Sequence, residues 1–129
     1  MLLMEPKICL LIDDDPDDQE IFLTALSDVS SSALCLVAPD GDRALELLYH
    51  EETMPDYIFL DLNMPRMNGF EFLAALKKSK ILKNIPVIVY STTSQQAQIE
   101  KVKKLGATEF FTKTHKYHEL CSFLKKYFT

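Results

Sequence analysis

A chain of 129 residues, 47% apolar and 26% charged, has the size of one domain and is too apolar to remain disordered. No apolar run approaches the roughly 18 residues of a membrane span, and the opening MLLMEPK is too short for a signal peptide, so a cytoplasmic protein is expected. The formal net charge of −5 lacks the basic footprint of a nucleic-acid site, and it is uneven: residues 1–61 hold fifteen acids against Lys7 and Arg43, residues 62–129 twelve Lys/Arg against four acids.

The first strand candidate, KICLLI (7–12), runs straight into DDDPDD. There Asp15 suits an N-cap, Pro16 the first helical position, and Asp17 and Asp18 the first turn, where the helix dipole favours negative charge. Ile21, Phe22, Ala25, Leu26 and Val29 form the apolar stripe of this helix. ALCLVA (33–38) is the second strand, and Gly41 precedes a helix around Ala44 to Tyr49. DYIFLD (56–61) is the third strand, and Gly69 opens a helix carrying Phe70, Leu73 and Leu76. PVIVYS (86–91) is the fourth strand. The helix after it, 94–105, is mostly polar, with only Ile99, Val102 and Leu105 as anchors, and Gly106 suits its C′ position. TEFFT (108–112) and a last helix over 115–128, packing through Tyr117, Leu120, Cys121 and Leu124, complete the chain. Cys9, Cys35 and Cys121 lie in apolar segments without metal spacing and read as reduced core residues.

Apolar strands alternating with helices, joined by right-handed crossovers, imply an α/β fold: a doubly wound parallel sheet that binds ligands beyond the carboxyl ends of its strands. Those ends select Asp13 and Asp14, Asp61, Ser91 and Lys113. If the first, third and fourth strands are neighbours, these groups face one crevice. The carboxylates are then either solvated loop acids or ligands of a hard dication such as Mg²⁺, which relieves their mutual repulsion. Lys113 is either a surface lysine or the cation of the same crevice.

LLIDDDP, IFLDLNMPRMNG, PVIVYSTT and GATEFFTK occur in the order and spacing of the receiver domain of bacterial two-component response regulators, and the resemblance covers essentially the whole chain. The chain resembles a stand-alone receiver similar to the chemotaxis response regulator: one domain over 1–129, with no room for an output domain. The resemblance implies a flavodoxin-like five-stranded sheet of order 2-1-3-4-5 with five helices, and a signalling protein that is not an enzyme. It also implies phosphoryl transfer from a sensor histidine kinase or phosphotransfer protein to Asp61. By the same matching, Asp13, Asp14, Asp61 and the backbone carbonyl of Asn63 hold Mg²⁺ or Mn²⁺, Ser91 is the switch hydroxyl, Phe110 the switch aromatic, and Lys113 contacts the phosphoryl oxygens. Asn63 and Thr93, each two residues beyond a site residue, flank the line of water attack and tune hydrolysis together with Thr92.

The helix-four, strand-five and helix-five face is the expected output surface. Its lysines suit a carboxylate-bearing partner or a second copy, with no nucleic acid and no membrane as partners. Thr114 departs from the family, which usually has proline after the lysine. Two other functions compete. An unphosphorylated receiver-shaped scaffold is disfavoured by the intact set of site residues, and a haloacid dehalogenase-type phosphatase would need Thr or Val where Asp17 stands.

Overall fold

The computed structural model describes residues 6–50 and 54–128; the opening MLLME lies outside the described residues. Strands and helices alternate: β1 (Ile8–Ile12), α1 (Pro16–Val29), β2 (Leu34–Ala38), α2 (Gly41–His50), β3 (Tyr57–Leu60), α3 (Gly69–Lys78), β4 (Val87–Ser91), α4 (Gln96–Lys104), β5 (Glu109–Thr112) and α5 (Tyr117–Phe128). All pairings are parallel, in the flavodoxin-like order β2-β1-β3-β4-β5. The winding direction reverses between β1 and β3, so a crevice opens at their carboxyl ends.

Alternation along the strands divides the core into two layers. Leu10, Ile12, Ile58, Leu60, Val87 and Val89 pack with residues of α2, α3 and α4, including Leu48, Leu73 and Val102. Cys9, Leu11, Phe59, Ile88 and Tyr90 pack on the opposite face with Phe22 and Leu26 of α1 and Leu120 and Leu124 of α5. The three inner strands are therefore apolar on both faces, whereas the β2 edge leaves Leu34 54% exposed.

Helix ends follow local hydrogen bonding. Asp15 caps α1 by accepting from Asp17 N, with Pro16 at the first helical position. Helix α2 starts at Gly41 rather than near Ala44, because Asp40 Oδ1 accepts from Arg43 N at 2.8 Å and organises the first turn. Helix α4 starts at Gln96 rather than 94, since Thr93 Oγ1 takes Gln95 N into a local turn. Helix α5 starts at Tyr117 rather than 115, after Thr114 Oγ1 has accepted from Lys116 N. Gly106 has φ 102° beyond the C-terminus of α4, the left-handed conformation expected of a C′ glycine.

Two residues expected in the packing stripes face outward instead: Ile21 is 46% and Tyr117 40% exposed. Both line a cleft that includes residues of α1 and α5, on the margin of the buried arcs centred on Phe22 and Leu120. Phe70 is half-buried, and Phe72 takes the core position in α3. Val29, Ile99 and Leu105 are half-buried. Among the cysteines only Cys9 is fully buried; Cys35 and Cys121 are half-buried, and all three are free thiols. Among the described residues no helix is long and apolar enough to cross a membrane.

Candidate functional site

Backbone hydrogen bonds continue just past the strands and fix the residues that follow them. Asp13 N donates to Ala38 O at 3.1 Å, Asp61 N to Ile12 O at 2.9 Å, and Lys113 N to Ser91 O at 2.8 Å. Three side chains are thereby delivered to one crevice by the β1, β3 and β5 ends, with Ser91 at the end of β4. Asp13 is held further by its Oδ1, which accepts from Asp15 N at 3.0 Å, and by its carbonyl, which accepts from Gln19 Nε2 at 2.6 Å.

Carboxylate oxygens of Asp13, Asp14 and Asp61 lie within 4.8 Å of one another. Asp13 is 0% and Asp61 6% exposed, while Asp14 opens to solvent. An all-oxygen donor set, two members buried and one wet, fits a hard dication that retains some of its waters. Burial pushes the Asp61 carboxyl up to about 6; Lys113 opposes the rise and the Asp13 charge adds to it. Asp13 is likewise raised, by burial first, against hydrogen bonds from Lys113 and the Asp15 N–H.

Lys113 Nζ sits 2.8 Å from Asp13 Oδ2, 2.8 Å from Asp18 Oδ2 and 3.8 Å from Asp61 Oδ1, with its side chain 9% exposed. Burial alone would lower its pKa, but the hydrogen bonds to Asp13 and Asp18 and the field of Asp61 prevail and raise it, so the ammonium persists. The Tyr90 ring lies 5.2 Å from the same ammonium, and burial pushes the Tyr90 hydroxyl up to about 12. Ser91 Oγ is buried and has no hydrogen-bond partner among the described residues. Such a hydroxyl is costly unless an acceptor is brought to it.

The remaining expected residues surround this centre. Asn63 is exposed, and its N–H points at Asp61 Oδ1 from 3.5 Å. Thr92 is exposed at the rim of a cleft of ≈ 520 Å³ beside Lys113. Thr93 is half-buried, its carbonyl accepting from Thr112 Oγ1 at 3.3 Å. Phe110, paired with Val89, already packs partly against the α2, α3 and α4 layer. The described residues contain no cis peptide bond, so the bond between Lys113 and Thr114 is trans. Sequence reasoning placed Asp18 in the first turn of α1, favoured by the helix dipole, and missed its ion pair with Lys113. A first-turn carboxylate gives no sign of that pair until the fold places the end of β5 beside α1.

Residues 9–125 match the response regulator receiver domain family. The chain is 30% identical to the probable C4-dicarboxylate response regulator DctR of Bacillus subtilis, over 92% of this chain and 50% of that protein. It is 29% identical to the response regulator Rcp1 of Synechocystis, over 89% of this chain and 82% of Rcp1; the Mn²⁺-bound form of Rcp1 superposes with a TM-score of 0.82, covering 94% of this chain and 91% of that one. The phosphorylated cyanobacterial phytochrome response regulator RcpA superposes with a TM-score of 0.85 at 30% identity, covering 94% of this chain and 90% of that one. The chain thus spans half the length of DctR and most of the length of Rcp1 and RcpA. Receiver domains interact with histidine kinases or phosphotransfer proteins, and are typically signalling modules rather than enzymes. By sequence match, fold and the carboxylates, hydroxyl and ammonium gathered at its strand ends, this chain belongs to the response regulator receiver domains of two-component signalling, which are phosphorylated on an aspartate.

Proposed function

We propose that Asp61 is the phosphoacceptor and that Asp13, Asp14, Asp61 and the Asn63 carbonyl hold Mg²⁺ or Mn²⁺ beside it. The observation that supports this most is a buried carboxylate grouped with two others and with a lysine at 3.8 Å. An Asp61 oxygen forms the new bond to phosphorus as the donor's nitrogen or oxygen departs with the old bonding pair. With a carboxyl pKa of about 6, Asp61 is mostly ionised near neutral pH and able to act as the nucleophile. Lys113 and the unpartnered Ser91 hydroxyl donate to the phosphoryl oxygens, whose charge grows in the transition state. A bound dication would add charge stabilisation of the same oxygens. Asn63 and Thr93 leave water a path to the phosphoryl group, with Thr92 at its edge, and so set its lifetime.

The phosphoryl donor is a sensor histidine kinase or a phosphotransfer protein. Phosphorylation draws Ser91 toward Asp61, Phe110 fills the vacated space, and α4 shifts. The output face comprises α4, β5 and α5 with the loop before α5, and its Lys101, Lys103, Lys104, Lys116, Lys125 and Lys126 suit an acidic partner or a second copy of the chain. Labelling with acetyl phosphate or a purified kinase, with and without the dication, tests the assignment. Asp61→Asn should abolish labelling, and undiminished, acid-stable labelling of that variant would overturn it.

A further inference from the structure

Asp18 is the one acid of the DDDPDD run whose side chain reaches Lys113 from outside the candidate metal cluster. Asp15 supplies the cap of α1 and Asp17 is exposed in its first turn, so the helix end does not require the Asp18 carboxylate. That carboxylate lies 2.8 Å from Lys113 Nζ, as close as Asp13 and a full ångström closer than Asp61. Two of the three ammonium N–H groups are thus engaged by Asp13 and Asp18.

We propose that Asp18 is a positioning residue that competes with the phosphoryl group for Lys113 and so weakens anion binding at Asp61. This rests on the assignment of Asp61 as phosphoacceptor. A phosphoryl group on Asp61 can draw on the third N–H of Lys113, but Asp13 and Asp18 hold the ammonium 3.8 Å from Asp61, so a close approach requires it to loosen one of those two partners. Asp13 is wholly buried, where water cannot replace its hydrogen bond from Lys113, whereas the Asp18 side chain is 30% exposed and can rehydrate. Asp18 is therefore the partner released. Neutralising it frees Lys113 for the anion, and the freed ammonium also leans harder on Asp13 and Asp61, which opposes a dication. One substitution then moves two affinities in opposite directions, which a packing defect in α1 would not do.

The test is calorimetric titration of the full chain with Mn²⁺ alone, then with beryllofluoride at saturating Mn²⁺. Asp18→Asn should bind beryllofluoride about three- to tenfold more tightly and Mn²⁺ more weakly by a similar factor, the scale of one charge a few ångströms away at a protein surface. Asp18→Ala should repeat both shifts, tighter for beryllofluoride and weaker for Mn²⁺, and Asp18→Glu should restore both toward wild type. Loss of both affinities in Asp18→Asn, or no change in either, would overturn the proposal while leaving Asp61 as acceptor intact. If wild type fails to bind beryllofluoride, or Asp61→Asn binds it equally well, the phosphoacceptor assignment falls and this proposal falls with it.

Discussion

Helices α3 and α4 are nearly equal in length, ten and nine residues, and each follows a strand that ends at or just before a site residue, yet they are built in opposite ways. Helix α3 opens on a capping box, Asn68 accepting from Glu71 N and Glu71 accepting from Asn68 N, and buries Gly69, Phe72, Leu73 and Leu76. Gly69 presses against the proposed acceptor: a Cβ there would lie 2.5 Å from the Asp61 carbonyl oxygen. Helix α4 has no side-chain cap and buries only Val102. The first arrangement holds Asp61 still, and the second leaves a helix free to answer. Rigidity is concentrated where a carboxylate must be aimed, and weak anchoring where the proposed readout requires movement.

The largest contrast should appear in core truncations. Leu76→Ala should destabilise the whole domain by about 2–5 kcal/mol, lowering the denaturant midpoint for every probe. Val102→Ala deletes two methyl groups and should cost about 2 kcal/mol, expressed first as faster hydrogen exchange across 96–104. Equal, global effects from both would show that α4 is as firmly integrated as α3 and would break the comparison.

The rigid side carries a cost of its own. The Asp61 carboxyl is raised to about 6, above its ordinary 3.8, so the folded state binds the proton more tightly than the unfolded state. The associated stability is complete below the unfolded pKa and is lost as pH rises through about 6. In metal-free protein near neutral pH, Asp61→Asn should therefore raise stability by about 2 kcal/mol and flatten its fall between about pH 4 and pH 7. Urea melts across that range would check this. Added Mg²⁺ should stabilise wild type and act far less on the variant, and a variant that is no more stable than wild type without metal would contradict this account of the burial of Asp61.

Much of this contrast is legible in the sequence. Asp15 and Pro16 announce the start of α1, Gly106 the end of α4, and the sparse apolar residues of SQQAQIEKVKKL its weak anchoring. Strand ends pick out Asp13, Asp61, Ser91 and Lys113, because a parallel sheet brings such ends together whatever the details of its loops. What local pattern could not supply was contact between distant segments. Asp18 and Lys113 are 95 residues apart, and Ile21 and Tyr117 look apolar enough to be core until α1 and α5 are seen to leave a cleft beside them. Helix starts were misplaced by two or three residues at α2, α4 and α5 because Asp40, Thr93 and Thr114 act through single side-chain hydrogen bonds.

The smallest expected effect is the sharpest test of the division between the two helices. Asn68→Ala removes the cap on the rigid side and should cost about 1 kcal/mol, whereas Gln95→Ala should be nearly neutral, since Gln95 makes no cap hydrogen bond. The informative change is the reverse one. Gln95 already has the extended backbone of an N-cap, φ −71° and ψ 122°, and lacks only a short side-chain acceptor. Gln95→Ser supplies that acceptor without disturbing the core and should stabilise α4 by about 0.5–1 kcal/mol, read as slower exchange confined to its first turn. If α4 must shift to report phosphorylation, the same substitution should reduce the exchange change that beryllofluoride and Mg²⁺ produce across 92–112, while leaving beryllofluoride affinity close to that of wild type. An undiminished response in a helix shown to be more stable would mean that α4 moves as a rigid body, and that its weak anchoring, not its uncapped start, permits the motion.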